Sequence, residues 1–202
     1  MLLSIEGPIG VGKTSLTRIV TKDLGFKGIY ELSYKNPYLS SFYSDIERYS
    51  FPIQIEFLIN RFRQWKSIQN IKENLVCDYF FYKDEIFAQM NLKGEDIRLY
   101  KRIYNQMLKH IKPPDYVIYL SASPKTLIER IEKRGRVYEK SITYEYLSNL
   151  CSHYEDYMNK YSLSPVLKVR VENLDYVNKI EDRRYMLSLI EDFIKVYFYK
   201  SL

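Results

Sequence analysis

A glycine-rich loop near the amino terminus constrains the fold of this chain more than any other feature. An apolar run, residues 2–5, leads into GPIGVGKT, which fits the pattern G-x-x-x-x-G-K-[ST], and a helical pattern of apolar residues follows. Such glycines let successive backbone N–H groups point inward at phosphate oxygens, and the following helix directs the positive end of its dipole at the same anion. Strand, loop and helix in this order predict a nucleotide-binding α/β protein.

The residues of this loop have predicted roles in holding a nucleotide. Lys13 can reach the β- and γ-phosphates, and the Thr14 hydroxyl can hold Mg²⁺. An ordinary strand–turn–helix corner is the alternative interpretation, but it leaves Lys13 and Thr14 at the helix entrance unexplained. The other predicted nucleotide-binding residues of the loop are Gly7, Gly10, Val11, Gly12 and Ser15.

The size and composition of the chain predict a single domain, residues 1–202. With 46% hydrophobic residues it can build a sizeable core, and no apolar run has the length of a membrane span. Cys77 and Cys151 lack metal-ligand spacing, and no signal-peptide pattern precedes the first strand, so we expect reduced thiols in a cytoplasmic protein. The net charge of +6 suits a phosphate-handling enzyme as well as a nucleic-acid binder. No basic tract interleaved with aromatic residues favours nucleic acid as a partner.

Strand-like runs alternate with helical patterns along the chain, which predicts a five-stranded parallel sheet with helices on both faces. Ligands of such sheets bind beyond the carboxyl ends of the strands, so residues at those ends are candidates for function. The predicted strands are residues 2–5, 28–32, 74–77, 116–120 and 166–171. The predicted helices are residues 14–24, 38–47, 53–73, 94–111, 124–133, 143–160 and 179–200.

Two carboxylates end predicted strands. Asp78 closes the apolar run 74–77, where a Mg²⁺-binding aspartate belongs if the metal is to bridge the β- and γ-phosphates near the loop. A helix-capping role is the alternative for Asp78. Glu31 ends the second predicted strand, where a carboxylate could take a proton from a hydroxyl nucleophile. A solvated surface glutamate is the alternative for Glu31.

Arginines cluster in LIERIEKRGRVYEKSI. Arg130 and Arg134 share one helix face, Gly135 breaks the helix, and Arg136 and Glu139 follow in a predicted loop. Arginines that close over a triphosphate stabilise charge on the transferred phosphoryl group and help to exclude water. We therefore predict an arginine-rich lid at about residues 134–142, although a solvated basic helix end is the alternative.

Beyond these single motifs, the chain resembles a known family, the deoxycytidine/deoxyguanosine/deoxyadenosine kinase group of deoxynucleoside kinases, which have the P-loop NTPase fold. The resemblance runs in register from residue 2 to about residue 157. Its blocks, in order, are IEGPIGVGKTSL, a glutamate followed by NPYLSSFY, RYSFPIQIEFLINR, IFA, DYVIYLSASPKTLIERIEKRGR and EYL. Several separate blocks in the right order are more specific than the loop motif alone.

The resemblance implies transfer of the ATP γ-phosphoryl group, with Mg²⁺, to the 5′-hydroxyl of a deoxyribonucleoside. It makes Glu31 the base that accepts the proton of that hydroxyl. It also implies that Tyr43 and Glu139 bond the 3′-hydroxyl and that Gln54 pairs with the base edge. Further implied contacts are Arg61 beside the base, Phe87 stacking on it, residues 173–176 near the adenine of ATP, and Arg130, Arg134 and Arg136 on phosphate.

One segment departs from the family pattern. After the third strand the family usually has an acid, then Arg, then Ser, whereas this chain has DYF at residues 78–80. That arginine normally orients the base and helps to fix phosphate, so its loss bears on phosphoryl transfer. Lys83 and Arg61 are alternative substitutes for it. Asp84 lies near the family's base-discriminating acid.

Three other functions remain open from the sequence. A nucleoside monophosphate kinase such as a thymidylate kinase would need a further cationic site for the acceptor phosphate. A nucleotide sensor would keep the fold without catalysis, and a nucleic-acid-binding ATPase is suggested only by the positive charge. The resemblance also implies a homodimer through a helix pair, including residues 53–73 and 94–111.

Overall fold

A five-stranded, all-parallel sheet forms the centre of the structure, a computed structural model that describes residues 1–200. The strand order is β2-β3-β1-β4-β5, so β1 lies in the middle, between β3 and β4. This confirms the predicted sheet and places the loop after the central strand. The strands are β1 Leu2–Glu6, β2 Lys27–Ile29, β3 Leu75–Cys77, β4 Tyr116–Ser121 and β5 Val166–Arg170.

Helices surround this sheet, as predicted. In chain order they are α1 Lys13–Leu24, α2 Leu39–Phe42, α3 Ile46–Ile68, α4 Lys83–Asn91, α5 Gly94–Leu108, α6 Pro124–Arg134, α7 Tyr144–Lys160 and α8 Ile180–Lys200. Short 3₁₀ turns cover Ser33–Lys35 and Val137–Glu139.

The predicted boundaries around α2, α3 and α4 were wrong. The expected helix at 38–47 is only the four-residue α2, and α3 begins at Ile46 rather than at residue 53. It starts there because the Asp45 side chain accepts a hydrogen bond from the Arg48 N–H and caps the new helix. Pro52 lies inside α3 and does not end it. Helix α4 was not predicted.

The core lies on both faces of the sheet because successive side chains of a strand point to opposite faces. Leu75 and Cys77 of β3 belong to a core cluster that includes residues of α3, α4 and α5, whereas Val76 belongs to a second cluster that includes residues of α1, α6 and α8. These layers hold the carboxyl ends of β1, β2 and β3 side by side, next to the loop, Glu31 and Asp78. No helix within residues 1–200 combines the length and the apolar character that crossing a membrane requires.

Candidate active site

The loop at residues 7–14 turns from β1 into α1 through Gly12, which has φ 107°. A Cβ atom at Gly12 would lie 2.1 Å from the hydroxyl oxygen of Tyr176, which itself donates to the Gly12 carbonyl at 3.2 Å. Both the backbone conformation and the close approach of Tyr176 therefore require glycine. Gly12 offers no side-chain cap to α1, so the first turn of this helix presents its N–H groups toward an anion.

A cavity of about 520 Å³ opens beside this loop and gathers most of the predicted site residues. Of the predicted site residues, all within the described part of the chain, three do not line the cavity: Gly7, Val11 and Arg130. The predicted residues that line it are Gly10, Gly12, Lys13, Thr14, Ser15, Glu31, Tyr43, Gln54, Arg61, Asp78, Phe87, Arg134, Arg136 and Glu139.

Lys13 holds its ammonium group over the loop. Its Nζ atom donates to the carbonyl of Gly7 at 2.5 Å and to that of Pro8 at 3.0 Å. Burial lowers the pKa of Lys13 to about 8, while the nearby Glu6 carboxylate opposes this shift. A cation with few competing water molecules interacts strongly with any phosphate that enters the loop.

Glu6 ties the loop to the segment after β3. Its side chain is fully buried, and its carboxylate accepts hydrogen bonds from the Gly7 N–H at 2.8 Å, the Phe80 N–H at 3.0 Å and the Tyr154 hydroxyl at 3.0 Å. These three bonds satisfy a buried charge that would otherwise be costly. They also fix the start of the loop relative to β3 and α7.

Thr14 and Asp78 lie side by side at the cavity wall. The Thr14 hydroxyl donates to Oδ2 of Asp78 at 2.6 Å, and the Glu31 N–H donates to Oδ1 at 2.7 Å. Burial raises the pKa of Asp78, and the bonds from Thr14 and Glu31 oppose that shift. A hydroxyl and a carboxylate that converge in this way are the oxygen ligands that Mg²⁺ prefers, so these residues fit the predicted metal.

Glu31 directs its carboxylate into the cavity, where it meets two cations. Oε1 accepts from Nε of Arg61 at 2.7 Å, and Oε2 accepts from Nζ of Lys83 at 2.9 Å. Burial alone would raise the pKa of Glu31, but the charges and hydrogen bonds of Arg61 and Lys83 outweigh it and lower the pKa to about 2. Glu31 is thus an ionised carboxylate with a fixed orientation, 17% exposed, rather than a solvated surface residue.

A buried cluster around Asp84 continues from Arg61. Nη1 of Arg61 donates to Oδ2 of Asp84 at 2.5 Å, and Nε2 of Gln54 donates to Oδ1 at 2.5 Å. The Tyr100 hydroxyl donates to the same Oδ1 atom at 3.0 Å. This aspartate therefore fixes Gln54 and Arg61, which lie two turns apart on α3 and both face the cavity.

The predicted lid segment closes one side of the cavity. Arg134 makes a bidentate pair with Glu139, with Nε to Oε2 at 3.0 Å and Nη2 to Oε1 at 2.8 Å, and Arg136 lies 3.6 Å from the same carboxylate. The Glu139 side chain is only 6% exposed. Tyr43 lies on the same wall, where its ring packs edge-on against Tyr146, and burial raises its pKa.

Arg130 lies behind the loop rather than in the cavity. Its guanidinium donates to the carbonyl of Val11 at 3.3 Å and to that of Val171 at 2.7 Å. In this conformation Arg130 supports the loop backbone, so its predicted contact with phosphate stays a prediction.

Sequence reasoning missed several residues that line the cavity. Tyr146 and Tyr154 reach it from one face of α7, and a tyrosine repeat eight residues apart on a helix is the signal that could have indicated them. Tyr154 packs edge-on against the ring of Phe87, which is one of the predicted site residues, with the ring centroids 6.2 Å apart. Lys83 was considered only as one of two residues that could replace the family's arginine after Asp78. In the structure it bonds directly to Glu31.

Comparisons with known proteins agree with this geometry. A family model described as Deoxynucleoside kinase matches residues 3–195. The deoxyguanosine kinase of Bacillus subtilis (strain 168) is 40% identical over 157 residues, which cover 76% of this chain and 76% of that protein. The deoxyadenosine/deoxycytidine kinase of the same strain is 37% identical over 185 residues, covering 88% and 85%.

A solved structure described as deoxyadenosine kinase from M. mycoides with bound dATP has the same fold. Its TM-score is 0.81 at 32% sequence identity, and the match covers 93% of this chain and 99% of that chain. The parallel sheet, the glycine-rich loop and the family match over nearly the whole chain lead to one conclusion. This chain belongs to the deoxynucleoside kinase family.

Proposed function

We propose that this deoxynucleoside kinase transfers the γ-phosphoryl group of ATP to the 5′-hydroxyl of a deoxyribonucleoside, as part of nucleoside salvage. One observation carries the proposal: a continuous chain of contacts runs from the nucleotide-binding loop, through Glu31, to Gln54 in the cavity wall. It passes from Thr14 to Asp78, Glu31, Arg61, Asp84 and finally Gln54. Glu31, the proposed base, thus lies between the loop that would hold phosphate and a polar cluster suited to a nucleobase.

In the proposed reaction Glu31 accepts the proton of the 5′-hydroxyl. The 5′-oxygen forms a bond to the γ-phosphorus while the bond from that phosphorus to the bridging oxygen breaks, and ADP leaves with the electron pair. Lys13, Arg134 and Arg136 stabilise the negative charge of the phosphates. When bound, Mg²⁺ would neutralise charge on the β- and γ-phosphates, and Thr14 and Asp78 are the residues that would hold it.

The nucleoside end of the cavity supplies the remaining contacts. Tyr43 and Glu139 can hold the 3′-hydroxyl as a donor and an acceptor, which would reject analogues that lack this group. Gln54 and Arg61 provide polar groups toward the base edge, and the Phe87 ring offers a stacking surface. The short distance between Arg134 and Glu139 supports a lid at about residues 134–142 that closes over both substrates.

The direct test is a screen with radiolabelled ATP against the four deoxynucleosides and their monophosphates. We expect label on at least one deoxynucleoside and none on dTMP, with Lys13→Ala as the variant that removes the phosphate-binding cation. Transfer to a monophosphate alone would favour the monophosphate-kinase alternative. ATP binding without transfer to any acceptor would favour the sensor.

We also propose that the protein is a cytoplasmic homodimer that pairs through α3 and α5. The exposed apolar side chains of Leu99, on α5, and Ile71, just beyond α3, support such a surface. Light scattering coupled to gel filtration tests it. The expected mass is twice that of the 24.4 kDa chain, and Leu99→Glu should lower the mass toward that of a monomer.

A further inference from the structure

The two cations at Glu31 are not equivalent. Arg61 divides its guanidinium between Glu31 and the fully buried Asp84, so this one cation serves two carboxylates. Within residues 1–200, Glu31 is the one carboxylate that forms an ion pair with Lys83. Lys83 is therefore the cation that serves Glu31 alone, whereas Arg61 is shared with Asp84.

Lys83 reaches Glu31 from the start of α4, and not from the residues that directly follow Asp78. Tyr79 and Phe80, which directly follow Asp78, are fully buried in the core and bring no charge to the cavity. Tyr79 instead donates to Gln64 at 2.7 Å. The chain returns to the cavity only at the first residue of α4, which is Lys83.

The burial of Lys83 argues against an incidental surface contact. The residue is 4% exposed, and its ammonium lies beside the cavity together with Lys13 and Glu31. A lysine at such a position loses its hydration and persists only where a partner compensates the cost. The compensating partner is the proposed catalytic base itself.

We infer that Lys83 is a positioning residue for Glu31: by holding Oε2 while Arg61 holds Oε1, it fixes the carboxylate plane toward the 5′-hydroxyl. This inference rests on the proposed function. Each carboxylate oxygen keeps a further acceptor direction for the substrate hydroxyl. Without Lys83, Glu31 can rotate about its terminal torsion and compete with Asp84 for the guanidinium of Arg61.

A double-mutant cycle with Lys83→Met and Glu31→Gln tests this role. Lys83→Met should lower kcat by about 10–100-fold, the cost of misplacing a catalytic group, while KM for ATP changes by less than about threefold. In the Glu31→Gln background the same substitution should cost less than about threefold, because the group that it positions is already absent. Lys83→Arg, which keeps the charge, should recover most of the lost kcat.

Controls separate this role from a structural one. Lys93→Met alters an exposed lysine just beyond α4 and should leave kcat unchanged. Circular dichroism and the melting temperature check folding. If Lys83→Met does not fold, Lys83→Gln, which keeps a hydrogen-bond donor without the charge, replaces it in the cycle.

The outcomes distinguish this inference from the proposed function. If the wild-type protein phosphorylates a deoxynucleoside and Glu31→Gln is slow, but Lys83→Met costs the same factor in both backgrounds, the positioning role is wrong and the kinase assignment stands. An unchanged kcat in Lys83→Met, or a Lys83→Arg variant as slow as Lys83→Met, also overturns it. If the wild-type protein transfers phosphate to no deoxynucleoside, the proposed function itself fails.

Discussion

Thr14 donates its hydroxyl hydrogen to Oδ2 of Asp78 at 2.6 Å, across 64 positions of sequence. This bond joins the first turn of α1 to the residue just after β3. The two come close because β1, which leads into the loop before α1, pairs with β3 in the sheet. Asp78 accepts the Glu31 N–H through its other oxygen. A single aspartate therefore sets the spacing between the phosphate site and the proposed base.

Asp78→Ala should impair metal-dependent catalysis. The variant loses a carboxylate ligand, so we expect the Mg²⁺ concentration for half-maximal activity to rise by about 10–100-fold. Titration of activity with MgCl₂ at saturating ATP measures this. Asp96→Ala, in the exposed first turn of α5, is the matched control, and an equal Mg²⁺ requirement in both variants would contradict the metal role.

Asp84→Ala should strongly destabilise the protein. The substitution removes a fully buried carboxylate that accepts from Arg61, Gln54 and Tyr100, and the expected loss of unfolding free energy is about 3–5 kcal/mol. Tyr100→Phe, which removes one hydrogen bond to that charged group, should cost about 1.5–3 kcal/mol. Urea unfolding measures both, and equal stabilities for Asp84→Ala and wild type would show that the cluster does not hold α3 and α4 together.

Gly12→Ala should weaken nucleotide binding far more than Gly25→Ala. Both glycines have positive φ, 107° and 71°, but a Cβ at Gly25 meets nothing within 4 Å, whereas one at Gly12 meets Tyr176. Gly25→Ala introduces a similar backbone strain, about 1–2 kcal/mol of conformational free energy, at a position that does not line the cavity. Calorimetric titration with ATP should therefore show near-wild-type affinity for Gly25→Ala and at least a tenfold loss for Gly12→Ala. Equal ATP affinities for the Gly12→Ala and Gly25→Ala variants would contradict the proposed clash between a Cβ at position 12 and Tyr176.

The stability conferred by Glu31 should depend on pH in a defined direction. Arg61 and Lys83 lower its folded pKa to about 2, below the ordinary value of 4.5, so the ionised form favours folding. This contribution is fully present above about pH 4.5 and is lost as the pH falls toward 2. The difference in unfolding free energy between wild type and Glu31→Gln, measured without nucleotide or divalent cation, should shrink over that range. A difference that stays constant between pH 6 and pH 3 would contradict the ion pairs.

Local patterns sufficed to predict the sheet and much of the cavity wall. The buried strands are short apolar runs, and parallel topology places the residues just beyond their carboxyl ends, including Glu31 and Asp78, at one edge of the sheet. The start of α3 was missed because Pro52 indicates a break, whereas capping by Asp45 starts the helix earlier. The partners of Glu31 lie 30 and 52 positions away, and no local pattern indicates which distant cation a carboxylate will meet.

The turnover of Glu31→Gln with ATP and an accepted deoxynucleoside tests the central claim most directly. Glutamine keeps the size of the side chain but cannot accept the hydroxyl proton. We predict that kcat falls by about 10²–10⁴-fold while KM for ATP changes little. A Glu31→Gln variant that turns over at the wild-type rate would contradict the assignment of Glu31 as the base.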